Sequence, residues 1–99
     1  MDINIKPIHF DATDQLKAFI EKKVTKLEKS YEDIQNVEVQ LKVVKPATAL
    51  NKEASVTVAV PGNKLFVEKI CDTFEESVDQ CVDSLKVQLT KFKEKQRNR

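Results

Sequence analysis

The spacing of the apolar residues in the centre of this chain differs from the spacing in the two long segments on either side of it. Every second residue is apolar through most of residues 36 to 45, and the alternation returns between residues 54 and 60. Before and after this central stretch, the apolar residues recur mainly every three or four positions. A period of two predicts a strand with one buried face, whereas a period of about 3.6 predicts an amphipathic helix. The chain is therefore expected to place sheet strands between two helical segments.

Two long amphipathic helices are predicted. The first follows Asp11 and Thr13, either of which could cap it, and is expected to end near Ser30. The second follows Asp72, which together with Glu75 resembles a capping box. Each helix has one apolar side, so both are expected to bury that side against the same core. Their apolar positions are Leu16, Phe19, Ile20, Val24, Leu27 and Tyr31 in the first, and Phe74, Val78, Cys81, Val82, Leu85, Leu89 and Phe92 in the second.

Two further strands are predicted at the edges of this pattern. Residues 2 to 10 carry apolar β-branched residues in loose alternation, and Pro7 favours an edge position there. The Pro-Gly-Asn sequence at residues 61 to 63 is a turn signal, and a strand follows from about residue 64 to residue 71. The buried side of that strand stays open, because residues 65 to 67 are all apolar.

The predicted order of elements is β-α-β-β-β-α, which makes the fold α+β. The first strand, helix and second strand form a crossover, so the second strand should lie parallel to the first. The next two strands follow as an antiparallel meander, and the first of their connections runs from Pro46 to Lys52. The simplest packing is a four-stranded mixed sheet with both helices on one face. With 99 residues, the chain is expected to form a single domain over residues 1–99.

Little in the sequence supports catalysis, a metal site or a cofactor. The single glycine excludes the glycine-rich loops that bind phosphate through backbone amides. The only histidine, His9, has no obvious cysteine or serine partner, and Asp79 and Asp83 have no predicted cleft. Cys71 and Cys81 lack a CxxC motif, so buried thiols are expected rather than zinc ligands. We therefore expect no enzyme, no small-molecule substrate, no cofactor and no metal.

The chain is expected to be a compact cytoplasmic protein without a membrane partner. Its residues are 40% apolar and 33% charged, which is typical of a globular protein. The N-terminal segment contains no uninterrupted apolar run of the length that a signal peptide needs, and no run is long enough to cross a membrane.

Lysines of the first predicted helix share one flank. The net charge of +1 gives no reason to expect nucleic acid, so the distribution of charge has to carry that argument. Counting 100° per residue from Leu16, Lys22, Lys26 and Lys29 fall at about 240°, 280° and 220°. Lys23 falls at the apolar boundary. The main carboxylates lie about 100° away from this ridge, so the lysines form either a binding ridge or one side of a solvated helix.

The second predicted helix is polarised along its length. Residues 72 to 83 contain five acidic residues and no basic one, whereas residues 84 to 99 contain six basic residues and one acidic residue. Part of this pattern suits the helix dipole, but six cations exceed what a dipole requires. Such lysines suit a row of phosphates, whose binding releases counterions. Phe19, Phe74 and Phe92 fall on apolar helix faces, so a reader of single strands that stacks bases is disfavoured.

Three segments together resemble the family of short-form hibernation-promoting factors and ribosome-associated inhibitors. They are residues 13 to 28 (TDQLKAFIEKKVTKLE), residues 37 to 45 (VEVQLKVVK) and residues 88 to 95 (QLTKFKEK), and the junction at residues 72 to 79 is similar too. The resemblance covers nearly the whole chain. It implies a domain shaped like a double-stranded RNA-binding domain that lies on the small ribosomal subunit, where mRNA and tRNA bind. The implied function is that of a ribosome hibernation factor, which inhibits translation of idle ribosomes under stress by occupying space.

The resemblance also implies which residues contact rRNA. By matching position, these are Lys23, Lys26, Lys91, Lys93 and Lys95. Charge and helical position add Lys22, Lys29, Lys42 and Lys86. Ser84 and Val87 depart from the family, whose members often carry basic residues there, so contacts from that stretch are not carried over.

The implied partner is the small ribosomal subunit, whose rRNA phosphates a monomer of this chain would contact. Long members of the family add a C-terminal dimerisation domain, which this chain is expected to lack. Two alternatives stay open: a double-stranded RNA-binding module that acts away from the ribosome, and a modulator of transcription that acts through protein contacts. The sequence also leaves open whether the protein promotes or prevents ribosome dimers.

Overall fold

A computed structural model of the chain describes residues 1–44 and 50–97. Four strands and two helices follow one another in the predicted order β-α-β-β-β-α, and a single 3₁₀ turn, Lys26–Lys29, extends the first helix. The fold is therefore α+β, as predicted. The elements are β1 (Asp2–Pro7), α1 (Asp14–Thr25), β2 (Asn36–Val43), β3 (Lys52–Val60), β4 (Asn63–Cys71) and α2 (Phe74–Arg97).

The strands form one sheet in the spatial order β1-β2-β3-β4. β1 and β2 are parallel, whereas β3 pairs antiparallel with both of its neighbours. This arrangement confirms the crossover and the meander that the sequence predicts. The register aligns Ile5, Val39, Val56 and Val67 in one row across the sheet. Because side chains alternate along a strand, this row and its parallel rows form one apolar face.

Both helices cover that apolar face. α2 contacts β3 and β4, while α1 contacts α2 and β1. Leu85 and Leu89 in α2 and Ile20 in α1 are fully buried against the sheet. The burial of such aliphatic side chains is worth about 1.5–3 kcal/mol each, which makes this layer the main source of stability. The opposite face of the sheet is not covered by either helix, and we call it the free face.

The beginning of α1 and the end of β1 are set by local backbone geometry. The Leu16 amide donates a 3.1 Å hydrogen bond to Oγ1 of Thr13, so Thr13 rather than Asp11 caps α1. β1 ends at Pro7, earlier than predicted, and His9 has a φ of 65° that does not suit a strand. The helical conformation reaches Lys29, close to the predicted end at Ser30, but its last turn is the tighter 3₁₀ type.

The predicted cap of α2 is wrong. The Glu76 amide donates a 3.1 Å hydrogen bond to Oγ1 of Thr73, so Thr73 caps the helix in place of Asp72. Thr73 and Glu76 also have the spacing of a capping box. Asp72 has a different partner, because its carboxylate accepts a 2.8 Å hydrogen bond from the Leu50 amide. Asp72 therefore binds the segment that leads into β3 and does not cap α2.

The structure settles which side of β4 is buried. Val67 is buried and Leu65 is partly buried under α2, whereas 57% of Phe66 is exposed on the free face. β2 ends at Val43, so Val44 lies beyond the strand, while Lys45 and residues 46 to 49 of the predicted connection lie outside the described residues. β3 begins at Lys52, which the sequence predicted to belong to the connection. Within residues 1–44 and 50–97, neither helix has the length and apolarity needed to cross a bilayer.

Candidate RNA-binding surface

α1 and α2 lie side by side and run in the same general direction. β1 and β4 point the same way in the sheet, and each is followed by a helix that returns across it. Lys23 of α1 meets Asp79 near the beginning of α2. Further along, the rings of Tyr31 and Phe92 are 5.4 Å apart. The groove between the helices therefore passes first the acidic half of α2 and then its basic half.

The lysines of α1 and of the following turn are exposed on the outer surface. Lys22, Lys26 and Lys29 are exposed, and Lys26 and Lys29 are separated by one 3₁₀ turn. Since a 3₁₀ helix has three residues per turn, these two side chains lie almost directly one above the other. The tight last turn thus aligns two of the three predicted ridge lysines.

Lys23 differs from the other predicted lysines of α1. Its Nζ lies 3.0 Å from a carboxylate oxygen of Asp79 and 5.6 Å from the centroid of the Phe19 ring. Only 28% of the Lys23 side chain is exposed. Such a half-exposed ion pair contributes no more than about 1 kcal/mol, but it fixes where the lysine points. Lys23 therefore joins the two helices to each other.

The predicted lysines of α2 divide between two flanks. With Leu85 at 0°, Lys86 and Lys93 fall at about 100° and 80°, close to Asp79 at about 120°, which faces α1. Lys91 and Lys95 fall at about 240° and 280°, on the side next to β4. The lysines on the outer side of α1 and its last turn, together with those on the flank of α2 next to α1, are called the interhelical lysines: Lys22, Lys26, Lys29, Lys86 and Lys93.

The interhelical lysines have no carboxylate partner among the described residues. Among the side chains that the structure describes, in residues 1–44 and 50–95, the salt bridges are Lys6 with Glu38 and Lys23 with Asp79. Charges without internal partners stay available to a ligand, and lysine binds phosphate as a mobile point charge. Five of the nine predicted lysines therefore lie on the helix side of the protein without a salt bridge, and their contact with phosphate stays a prediction.

Lys42 lies apart from the other predicted lysines. It alternates with the buried Val39 and Leu41 of β2, so its side chain is on the free face of the sheet. It is paired in register with Glu53 of β3. A single rigid RNA helix that lies across α1 and α2 cannot reach Lys42 on the opposite side of the sheet.

The thiols of this chain are poorly suited to nucleophilic chemistry. Cys71 and Cys81 are both free and buried, as predicted. The Cys81 thiol donates a 3.4 Å hydrogen bond to the Ala54 carbonyl, and its burial raises the pKa of Cys81 to about 12. Since the reactive form is the thiolate, this side chain is inert near neutral pH. The described residues contain no group of three side chains that could hold a metal ion.

Two features of the surface were missed in the sequence. The partnership of Lys23 with Asp79 could have been suspected from the position of Lys23 at the apolar boundary, but the acidic partner is 56 residues away. The exposure of Phe66 had no signal at all, because three consecutive apolar residues leave the side of a strand undecided.

Comparison with known proteins places the chain in an established family. The model of the family described as Sigma 54 modulation protein / S30EA ribosomal protein matches residues 3–97. The chain belongs to this family. A relative from Pseudomonas putida, named ribosome hibernation promoting factor, is 30% identical over 99% of this chain and 92% of its own length. A relative of the same name from Escherichia coli K12 is 30% identical over 96% of both proteins.

Solved structures of the same architecture agree with this assignment. A ribosomal subunit interface protein from Coxiella burnetii superimposes with a TM-score of 0.84 and 25% identity, covering 94% of this chain and 98% of its own. The N-terminal domain of Protein Y from Thermus thermophilus superimposes with a TM-score of 0.79 and 25% identity, covering 93% of this chain and 99% of its own. Family membership and fold are thus shown along nearly the whole chain.

Proposed function

We propose that this chain is a ribosome hibernation factor that binds the small ribosomal subunit in the channel used by mRNA and tRNA, and that it inhibits translation of idle ribosomes. The observation that carries the proposal is the group of interhelical lysines, which have no carboxylate partner among the described residues. The names of the relatives, which refer to ribosome hibernation, support the ribosome as the target. Action in the cytoplasm as a monomer completes the proposal.

The proposed contacts are electrostatic. Phosphates of rRNA would approach the groove between α1 and α2 and bind the interhelical lysines, and the released counterions would favour the complex at moderate salt. Lys91 and Lys95 would contact a second strand on the β4 side of α2. Lys23 contributes by holding α1 against α2, and its ammonium can also reach a phosphate at the edge of the groove.

The inhibition requires no catalysis. A rigid body that fills the channel excludes mRNA and tRNA by volume, and the principal axes of the protein measure 48 × 23 × 18 Å. The acidic first half of α2 opposes entry of RNA at one end of the groove, because like charges repel. The bound protein would therefore adopt one orientation, with the basic half of α2 deepest in the RNA.

The decisive experiment measures binding of the labelled chain to purified small and large ribosomal subunits. We expect saturable binding to the small subunit, competition by mRNA with initiator tRNA, and a parallel loss of translation in a reconstituted system. Equal binding to the large subunit, or failure of mRNA and tRNA to compete, would contradict the proposed position. A duplex RNA of about 16 base pairs is the matched ligand for the double-stranded RNA alternative.

The family's description also names sigma 54 modulation, so a transcriptional role is the second candidate function. That role would require the chain to bind RNA polymerase or the sigma factor through protein contacts. Affinity capture with the intact chain from stationary-phase extract distinguishes the two, since recovery of polymerase subunits without ribosomal proteins would favour the transcriptional role.

A further inference from the structure

A small depression lies between the end of α2 and the beginning of β4, away from the interhelical lysines. It measures about 230 Å³. This is below the roughly 300–1,000 Å³ of sites for drug-sized ligands, so a single planar ring is a suitable occupant. We call it the α2–β4 site, and it is lined by Asn63, Leu65, Gln88, Lys91, Phe92 and Lys95.

The floor of the α2–β4 site is apolar and its rim is polar. Phe92 falls on the apolar face of α2, where the sequence disfavoured base stacking, but the structure leaves both Phe92 and Leu65 only partly buried. The site therefore exposes the side of one aliphatic and one aromatic residue. Lys91 and Lys95 are four residues apart on α2 and both are exposed. Two cations on one side of an apolar surface suit an occupant that carries both an anion and a flat ring.

Two amides at the rim have unused hydrogen-bonding groups. The Asn63 side-chain oxygen accepts a 2.8 Å hydrogen bond from the Lys64 amide, which fixes the side chain and leaves its NH₂ group to donate elsewhere. The side chain of Gln88 makes no hydrogen bond to another described residue. Amides of this type pair with the edges of nucleobases, because they offer a donor and an acceptor in one plane.

We propose that the α2–β4 site binds one unpaired nucleotide of an RNA strand, with its base on Leu65 and Phe92 and its phosphate on Lys91 and Lys95. Gln88 and Asn63 contact the edge of the base. This inference deepens the proposed function and rests on it, since it names the kind of rRNA element that the second flank of α2 takes. A base inside a duplex cannot reach the floor, because its faces are stacked on its neighbours.

The proposal also assigns a different ligand to each of the two flanks of α2. The interhelical lysines bind phosphates of any RNA, whereas the α2–β4 site requires a base that is free of its partner. A flexible loop or a nucleotide that bulges from rRNA meets that requirement. The pair of flanks would then hold the protein at one position along the RNA rather than at many.

The first test is an NMR titration of the ¹⁵N-labelled full chain with adenosine 5′-monophosphate, uridine 5′-monophosphate and inorganic phosphate. We expect the nucleotides to shift the side-chain amide signals of Asn63 and Gln88, and inorganic phosphate to leave those signals in place. Equal shifts from phosphate alone would overturn the proposal, because the site would then be a simple cationic patch.

The second test compares Gln88→Leu with Gln80→Leu, a matched change at an exposed position of the same helix outside the site. Gln88→Leu should weaken binding of an unpaired oligonucleotide about fivefold, the effect of one lost hydrogen bond, without changing the affinity for duplex RNA. Gln80→Leu should change neither. Equal weakening by both variants, or affinity for a mononucleotide equal to that for the oligonucleotide, would overturn the assignment to an RNA strand.

Binding to the ribosome distinguishes failure of this inference from failure of the proposed function. If Gln88→Leu binds the small subunit as tightly as the unaltered chain, the α2–β4 site is wrong while the function stands. If the unaltered chain does not bind the small subunit but the oligonucleotide still shifts the Asn63 and Gln88 amides, the ribosomal function is wrong while the site stands.

Discussion

The helix side of this protein and the free face of its sheet carry the same kinds of charged residue in different arrangements. On the helix side, the interhelical lysines have no carboxylate partner among the described residues. On the free face, Lys6 lies 2.9 Å from Glu38 and holds the pKa of that carboxyl below its usual range, mainly through the hydrogen bond between them. Lys42 stands in register with Glu53 on the same face, where burial raises the pKa of the Glu53 carboxyl and the charge of Lys42 lowers it by less, although the two do not form a salt bridge.

This difference bears on the proposed function, because a chain with a net charge of +1 needs an uneven distribution of charge to bind a polyanion. Paired charges largely cancel within a few ångströms, and salt screens the remainder over about 8–10 Å. Unpaired lysines on one surface keep a local positive potential that the average over the whole molecule hides. The organisation of charge in space, rather than its total, therefore selects the helix side as the proposed RNA-binding surface.

The largest expected effect comes from reversing charge on the helix side. The triple change Lys22→Glu, Lys26→Glu and Lys29→Glu should weaken binding to the small subunit about 1,000-fold or more, because hydrogen bonds to charged groups are worth about 1.5–3 kcal/mol each. The slope of log affinity against log salt should also fall by about three. Titrations of the labelled chain at several salt concentrations measure both quantities.

The control for this experiment is Lys17→Glu, compared with the single change Lys26→Glu. Lys17 is exposed on α1 at about 100° from Leu16, on the side away from the ridge. Its reversal changes the net charge equally and should have less than about a third of the effect of Lys26→Glu on affinity. Equal effects would mean that total charge, not position, determines binding.

A smaller expected effect compares a charge reversal on the free face with one on the helix side. Lys42→Glu should change the affinity for the small subunit less than about twofold, whereas Lys26→Glu should reduce it about tenfold, since only Lys26 lies on the helix side. Parallel titrations of the two variants at one salt concentration suffice. A loss of affinity in Lys42→Glu as large as that in Lys26→Glu would show that RNA also contacts the free face.

A modest gain of affinity is expected from Asp79→Asn. The change removes the carboxylate 3.0 Å from Lys23 and frees that ammonium for a phosphate, so binding should strengthen about two- to threefold. The ion pair is only partly buried, so the free energy of unfolding should fall by less than about 1 kcal/mol. Affinity titrations and urea unfolding measure the two effects. By contrast, Lys23→Glu would place two carboxylates together and disturb the packing of the helices, which makes it a poor probe of RNA contact.

The smallest expected effect concerns the free face at different pH. Burial, together with a hydrogen bond to Glu68, raises the pKa of Glu53 above its ordinary value of 4.5. The stability that a raised carboxyl pKa supplies is fully present below the unfolded pKa and is lost as the pH rises through the folded pKa. Glu53→Gln should therefore raise the melting temperature slightly at pH 7, and the gain should vanish near pH ~4.

Circular dichroism melts of Glu53→Gln and of Glu32→Gln, a matched loss of charge at an exposed loop position, test this expectation. An equal gain in both variants at pH 7 would assign the effect to net charge. A gain for Glu53→Gln that persists in acid, where the carboxyl is protonated in both states, would contradict the raised pKa of Glu53.

The order of elements could be predicted because it depends on periodicity, which is local. The alternation in β2 and β3 and the helical spacing around the buried Ile20 are visible in the sequence, and the crossover rule then fixes the direction of β2. The predicted cap of α2 was wrong, because Asp72 and Thr73 are both good capping residues. Asp72 does not cap the helix because its carboxylate binds the Leu50 amide, a contact between segments distant in the chain.

The candidate site was predictable only in part. The lysine ridge of α1 follows from helical spacing, and Lys22, Lys26 and Lys29 do lie exposed together. The separation of Lys42 from them depends on which face of the sheet the helices cover, and the pairing of Lys23 with Asp79 depends on how the helices lie against each other. The contact of these lysines with rRNA stays a prediction.

Local patterns were sufficient to predict the elements, their order and the accumulation of lysine on one side of α1 and in the second half of α2. Those properties depend on residues that are close together in the chain, so a period of two or of 3.6 is enough to reveal them. Three-dimensional packing was needed to show which lysines share a surface, which side of β4 carries Phe66, and that α2 and β4 enclose a depression between Leu65 and Phe92. Those properties depend on the packing of segments that are distant in the chain, and that packing is set by the burial of the whole core rather than by any local pattern.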